Sequence, residues 1–123
     1  MTTLLHLPAR PEAPLACDMS TARDTPDERV GEYRALFEET LVRRERRAGA
    51  VVFAFRVDAR ETVEDLARRE AACCPFLDYR VESAGDEVIW TLTNPVAGPG
   101  REGADATLDA FHRLAVRGGT MPM

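Results

Sequence analysis

The sequence predicts a single α+β domain, and three observations lead to that fold class. A chain of 123 residues suits one hydrophobic core rather than two. Apolar residues recur at helical spacing in some segments and alternate along others. Proline and glycine separate these segments. The composition, 45% apolar and 30% charged, is that of an ordinary globular protein.

The chain divides into two predicted parts. Residues 1–24 contain several prolines and predict an irregular N-terminal arm, whereas residues 25–123 predict the α+β domain. The first helix of that domain begins at a capping box formed by Thr25 and Glu28, and its expected end is near Gly49. The basic cluster at residues 43–47 would then lie at the end of this helix, where cations complement the helix dipole.

The remaining elements give the order strand, helix, strand, strand, helix. They are a strand over 50–57, a helix opened by a second capping box at Asp58 and Glu61, hairpin strands over 76–82 and 87–93, and a last helix that ends near Gly118. This order predicts an incomplete ferredoxin-like β-α-β-β-α arrangement, in which the hairpin places the third strand between the first two. The result is a three-stranded sheet with helices on one face.

The other face of this predicted sheet is too apolar to remain in water. It presents Val52, Ala54, Ile89 and Thr91. Either the N-terminal helix or a second copy of the chain is therefore expected to cover it, so a homodimer is one predicted assembly.

Composition also excludes several classes of protein. A net charge of -5 argues against nucleic-acid binding, and the absence of an apolar run of about 18 residues argues against a membrane span. Three cysteines, an odd number, argue against a disulfide framework and favour a reduced, cytoplasmic protein. No spacing indicates catalytic residues. The glycines of the segment 98–103 lack the context of a dinucleotide site, so no organic cofactor is predicted.

The segment from Glu70 to Leu77 is the most informative for chemistry. It places adjacent cysteines, Cys73 and Cys74, at a helix C-terminus that Pro75 enforces. The negative end of the helix dipole disfavours a thiolate there, so a nucleophilic cysteine is not expected in the pair. Glu70 lies one turn earlier, near the centre of the inward stripe, where a carboxyl group is costly unless it is paired or functional.

Three interpretations of the cysteines are open. In the first, Cys17, Cys73 and Cys74 bind a soft metal or metalloid ion, Hg(II), As(III) or the borderline Zn(II), with Glu70 as hydrogen-bond partner or proton acceptor. In the second, the protein is a small thiol oxidoreductase that cycles a disulfide between Cys17 and Cys73 or Cys74. In the third, the cysteines only pack in the core of a dimeric interaction module.

A resemblance favours the first interpretation. The pattern Glu70-x-x-Cys73-Cys74-Pro75-Phe76-Leu77, followed by Trp90-x-Leu92-Thr93-x-Pro95, resembles small bacterial proteins related to C-terminal extensions of mercury-resistance-type (MerR-like) regulators. That set also carries an upstream cysteine, which Cys17 matches. The resemblance implies a link to heavy-metal thiol chemistry but no particular activity. Together with the cysteine pattern it leads to the prediction of a non-catalytic protein that binds a thiophilic ion. The chain lacks the regulators' helix–turn–helix and any organomercurial lyase motif, so neither transcription control on its own nor carbon–mercury cleavage is expected.

Overall fold

Three helices and five strands occur in the part of the chain that the computed structural model describes, residues 4–10, 12–14 and 17–118. In chain order they are β1 (Leu4–Leu7), α1 (Pro26–Thr40), β2 (Leu41–Arg47), β3 (Ala50–Arg56), α2 (Arg60–Cys73), β4 (Asp78–Ala84), β5 (Glu87–Thr93) and α3 (Arg101–Gly118). A short 3-10 turn, Val57–Ala59, joins β3 to α2. None of the helices within these ranges combines the length and apolar character that crossing a membrane requires.

The strands form one antiparallel sheet in the order β1-β4-β5-β3-β2. The α+β class is therefore confirmed, and β5 lies between β3 and β4 as the hairpin predicts. The prediction of three strands is wrong, because β1 and β2 extend the sheet by one strand at each edge.

Strand β2 occupies a segment for which the sequence predicts helix. Helix α1 ends at Thr40, and the basic cluster 43–47 lies on an edge strand rather than at a helix C-terminus. Pairing with the apolar strand β3 outweighs the helical propensity of the arginines and glutamate. Gly49, with a φ of 74°, forms the β2–β3 turn instead of ending a helix. Charged side chains on an edge strand also discourage pairing with other chains.

Strand β1 lies within the segment predicted as an irregular arm. Its four residues pair with β4, so that Leu5 lies opposite Val81 and Leu7 opposite Tyr79. Four residues followed by Pro8 are too few to give a clear alternating pattern. The strand fixes the start of the arm at the sheet edge.

Aromatic side chains fill the space between the sheet and the helices. Tyr33 of α1 stacks on Trp90 of β5 with ring centroids 6.1 Å apart, and Phe37 lies 5.3 Å from Phe53. Phe111 of α3 meets Tyr33 edge-on at 6.1 Å. Such offset and edge-on geometries add to the stabilisation that burial of these rings provides. All three helices contribute to this one cluster and therefore lie on the same face of the sheet.

The opposite face of the sheet has no helix from the described ranges upon it. The N-terminal helix packs on the core face, so the prediction that it covers the opposite face is wrong. Val52, Ile89 and Thr91 remain partly exposed there, while Ala54 is buried. Their burial by a second copy of the chain stays a prediction.

The two predicted capping boxes have different outcomes. At α1 the box is confirmed: Thr25 N donates to Glu28 Oε1 at 2.9 Å, and Glu28 N donates to Thr25 Oγ1 at 3.1 Å. At α2 the predicted box of Asp58 and Glu61 is wrong, because the 3-10 turn shifts the helix start and Ala59 becomes the N-cap without a side-chain hydrogen bond.

Replacing Thr25 by alanine removes the hydrogen bond from Glu28 N to Thr25 Oγ1, whereas the backbone N–H of residue 25 can still donate to Glu28. We expect Thr25→Ala to lower the free energy of unfolding by about 1 kcal/mol, the usual contribution of an N-cap. Urea denaturation measures the change. Thr62→Ala, an exposed threonine inside α2, is the control and should shift stability by less than about 0.5 kcal/mol. Equal losses in the two variants would contradict this account.

Candidate functional site

The arm returns to the C-terminal end of α2 and is joined to it covalently. Cys17 forms a disulfide with Cys74, with their Cα atoms 4.4 Å apart and a sequence separation of 57. Two backbone hydrogen bonds of 2.9 Å flank this link, from Asp18 N to Cys73 O and from Arg10 N to Pro75 O. The arm thereby supplies a donor to Cys73 O, one of the carbonyl groups that the end of a helix leaves without an intrahelical partner, and a second donor to Pro75 O just beyond the helix.

Pro75 ends α2 and gives Cys74 a non-helical backbone, with φ -124° and ψ 69°. Cys74 N still donates to Glu70 O at 2.6 Å. The Tyr79 hydroxyl donates to Cys74 O at 2.8 Å and to Glu70 O at 3.2 Å. Burial, followed by the charge of Glu70, raises the pKa of Tyr79, so the hydroxyl keeps the proton that it donates. These contacts turn the Cys74 side chain out of the helix and towards the arm.

The three cysteines differ in accessibility. Cys17 is exposed, whereas Cys74 is only 2% exposed and Cys73 only 4%. Cys73 is unpaired, and its sulfur lies 3.9 Å and 4.0 Å from the two Nη atoms of Arg29. A solvent molecule or a reactant can therefore approach the disulfide from the Cys17 side.

Arg29 and Glu70 are buried charges that form an ion pair. Arg29 donates to both oxygens of Asp24 at 2.7 Å and 2.8 Å, and its Nη1 lies 3.2 Å from Glu70 Oε2. The Tyr33 hydroxyl donates to the same Glu70 oxygen at 2.7 Å. Buried charges of this kind are tolerated because every partner is present, and removing one partner leaves the others costly. Glu70 thus has the partners that the sequence alone could not name.

Sequence reasoning missed Arg29, although a signal for it exists. Arg29 lies four residues before Tyr33 and so falls on the apolar stripe of α1, as Glu70 falls on that of α2. Two opposite charges on the inward faces of two helices indicate a buried pair. Asp24 gives a weaker signal, because acids are common just before a helix.

The hydrogen bonds from Arg29, with a further contribution from the charge of Arg69, lower the pKa of Asp24 from 3.8 to about 2. Burial and the nearby Glu70 carboxylate raise the pKa of Tyr33. The carboxylate of Asp24 therefore stays ionised, and the phenol of Tyr33 stays a donor, throughout the physiological range.

A cavity of about 520 Å³ lies beside this network, between α1, α3, the arm and the end of α2. Its lining includes all four residues that the sequence singles out, Cys17, Glu70, Cys73 and Cys74. The other lining residues are Met19, Pro26, Arg29, Val30, Tyr33, Thr107, Ala110, Phe111, Arg113 and Leu114. The candidate residues thus share one site.

The prediction of a thiolate metal site is wrong. Cys17 and Cys74 are bonded to each other, so the three cysteines do not offer three thiolates. Within the described ranges no group of three or more His, Cys, Asp or Glu side chains is placed to hold a metal ion. The charge that an ion would supply to Cys73 and Glu70 comes from the Arg29 guanidinium instead. The odd cysteine count, which argues against a disulfide framework, does not prevent a single disulfide, since Cys17 and Cys74 pair and Cys73 stays free.

Comparisons with protein-family models, with curated proteins and with solved structures find no match to this chain. The resemblance of the Glu70–Leu77 segment to proteins related to mercury-resistance-type regulators therefore stays a prediction.

The disulfide is expected to stabilise the folded chain, because it closes a long loop in the unfolded state. Cys17→Ala should lower the free energy of unfolding by about 2–4 kcal/mol under non-reducing conditions. Guanidinium denaturation, with and without a dithiol reductant, measures this difference. Excess reductant should bring the wild-type chain to the stability of Cys17→Ala and leave that variant unchanged. A wild-type stability insensitive to the reductant would contradict the proposed stabilisation.

Asp24 is expected to give the protein a defined acid sensitivity. Because the pKa of Asp24 is lower in the folded state than in the unfolded state, its contribution to stability is present above about pH 4 and is lost as the pH falls to about 2. Asp24→Asn should therefore be less stable than the wild type at pH 6, and the difference should shrink over that acidic window. Urea midpoints from pH 2 to pH 6 report it, with exposed Asp86→Asn as control. A constant difference across the window would refute the assignment.

Proposed function

We propose that this chain is a small thiol–disulfide redox protein in which Cys17 and Cys74 alternate between a disulfide and two thiols. The observation that carries the proposal is the asymmetry of the Cys17–Cys74 bond, which joins an exposed cysteine to a buried one. Exchange requires that a thiolate reach one sulfur and that the other sulfur leave. The exposed Cys17 meets the first requirement, whereas Cys74 is buried at a helix C-terminus that disfavours its thiolate and therefore leaves with uptake of a proton.

The reductive half of the cycle consumes two thiols from a partner. One partner thiolate attacks Cys17 Sγ, the sulfur–sulfur bond breaks, and Cys74 leaves as a thiolate that takes up a proton. A second partner thiol attacks the mixed disulfide, which releases the Cys17 thiol and an oxidised partner disulfide. The balance is two electrons and two protons gained by this chain, from a dithiol or from two monothiols.

In the oxidative half of the cycle the Cys17 thiol attacks a disulfide of the partner and forms a mixed disulfide with it. Both Cys17 and Cys74 lie at the C-terminal end of α2, where the helix dipole disfavours a thiolate, so the exposure of Cys17 rather than its electrostatic environment selects it as the attacking group. Cys74 then resolves the mixed disulfide, since the arm places it beside Cys17. Cys73 takes no part in this two-cysteine cycle.

Reduction removes the covalent link but leaves other contacts of the arm. The hydrogen bonds from Asp18 and Arg10 persist, as does the pairing of β1 with β4. The thiols are therefore held near each other, which favours re-formation of the same disulfide over intermolecular exchange. This arrangement suits repeated cycling.

Relationship to the small bacterial proteins that share the Glu70–Leu77 pattern is a separate proposal. It is supported by the position of that pattern, since Glu70, Cys73 and Cys74 all line the cavity beside the disulfide. The earlier metal-binding interpretation is not part of it.

A redox titration tests the function. The protein is equilibrated in thiol–disulfide buffers of known potential, quenched with acid, alkylated in denaturant and weighed by mass spectrometry. We expect one alkyl group on the oxidised form and three on the reduced form, with a midpoint between about -120 and -270 mV, the range of exchanging protein disulfides. A midpoint well below about -300 mV would assign the bond a structural role only.

Matched variants locate the couple. Cys73→Ser should keep the midpoint potential of the wild type, with no alkyl group on its oxidised form and two on its reduced form. Cys17→Ser should show no redox transition. Loss of the transition in folded Cys73→Ser, checked by circular dichroism, would contradict the two-cysteine cycle and move the couple to Cys73.

A further inference from the structure

The cavity beside the disulfide has features of a small-molecule site that thiol exchange does not use. Its volume of about 520 Å³ lies within the usual range for ligand pockets. Most of its wall is apolar, with contributions from Met19, Pro26, Val30, Phe111 and Leu114. An apolar wall with few polar groups is the common composition of such pockets.

Glu70 gives this cavity a specific polar group. Its Oε2 accepts from the Tyr33 hydroxyl and pairs with Arg29, as described above. Its Oε1 accepts no hydrogen bond from the part of the chain that the structure describes, although the residue is only 6% exposed. Oε1 is not among the fully enclosed unpartnered atoms of the described residues, so it is accessible, and a ligand in the cavity that supplies a donor to it gains affinity.

The groups around Glu70 favour a ligand that donates, and a cationic donor makes the stronger hydrogen bond to a carboxylate. The buried part of the network holds two guanidinium groups, Arg29 and Arg69, and two carboxylates, Asp24 and Glu70, whose charges balance. Arg23, Glu32 and Asp65 extend it at the exposed edge. The N–H groups of Arg29 are taken up by Asp24, Glu70 and the Cys73 sulfur, so it offers no free donor to an anion. Arg113 also lines the cavity, but it is exposed and its charge is screened by water.

We propose that the cavity binds an apolar small molecule carrying a protonated amine. The amine donates to Glu70 Oε1, and the apolar body lies between α1 and α3 against Val30 and Phe111. This site goes beyond the redox function, since binding does not require the disulfide to be reversible. It can therefore be tested on the oxidised protein without reductant, where failure of the redox proposal has no effect.

Three probes with the same phenyl group but different polar groups separate the contribution of the amine from that of the apolar body. They are 2-phenylethylamine, 2-phenylethanol and 3-phenylpropionate, titrated into ¹⁵N-labelled oxidised protein with amide shifts recorded. We expect the amine to shift the amides of cavity residues saturably and to bind about tenfold more tightly than the alcohol, which is the usual effect of a charge-assisted hydrogen bond. The carboxylate probe should bind more weakly than the alcohol.

Two variants and one control identify the site. Glu70→Gln should reduce the preference for the amine over the alcohol about tenfold, because it removes the charge. Since that change also alters the partner of Arg29, Val30→Phe serves as a second test. This substitution fills the cavity without changing Glu70, so it should weaken the binding of both the amine and the alcohol. Glu38→Gln, an exposed acid on α1 outside the cavity, should bind as the wild type does.

Three results would overturn the proposal. They are a carboxylate probe that binds as tightly as the amine, amine binding that folded Val30→Phe leaves unchanged, and an absence of saturable shifts at cavity residues with every probe. Each result would return Glu70 to a purely structural role in the ion network.

Discussion

The Arg29 guanidinium holds the arm, α1 and α2 together, because it lies in α1, donates to Asp24 of the arm and pairs with Glu70 of α2. Its contact with the Cys73 sulfur extends the same network to the cysteine segment. Neither Arg29 nor Glu70 is stable in the core without the other, since an isolated buried charge costs several kcal/mol. One set of charged hydrogen bonds therefore supports the packing of the helices, the side of the cavity that Arg29 and Glu70 form, and the position of the disulfide.

The arm is attached in two different ways, and only one of them depends on redox state. The Cys17–Cys74 bond can be broken by exchange, whereas strand β1 and the hydrogen bonds to Cys73 O and Pro75 O do not change chemically. Because Cys17 and Met19 of the arm also line the cavity, the proposed redox couple and the proposed amine site share a wall. Reduction would loosen that wall, whereas the ion pair of Arg29 and Glu70 would keep the opposite side of the cavity in place.

Local patterns in the sequence are sufficient for about half of the fold. The alternation in β3, β4 and β5 is strong, because each of these strands has one face buried against the helices. Strand β2 could not be read in this way, since its arginines and glutamate suit a helix equally well and only pairing with β3 decides between the two. Strand β1 is too short to show a period. The sequence does indicate the site region, through adjacent cysteines before a proline and an acid on an inward stripe.

The sequence by itself determined the helix start at Thr25, the break at Pro75 and the candidate residues Glu70, Cys73 and Cys74, because these depend on neighbours within a few positions along the chain. Only the tertiary structure decided their chemistry. The pairing of Cys17 with Cys74 depends on the path of an arm 57 residues away, and the partner of Glu70 comes from another helix. A spacing in sequence specifies which side chains share a helix face, but it does not specify which distant cation or sulfur the fold brings against that face.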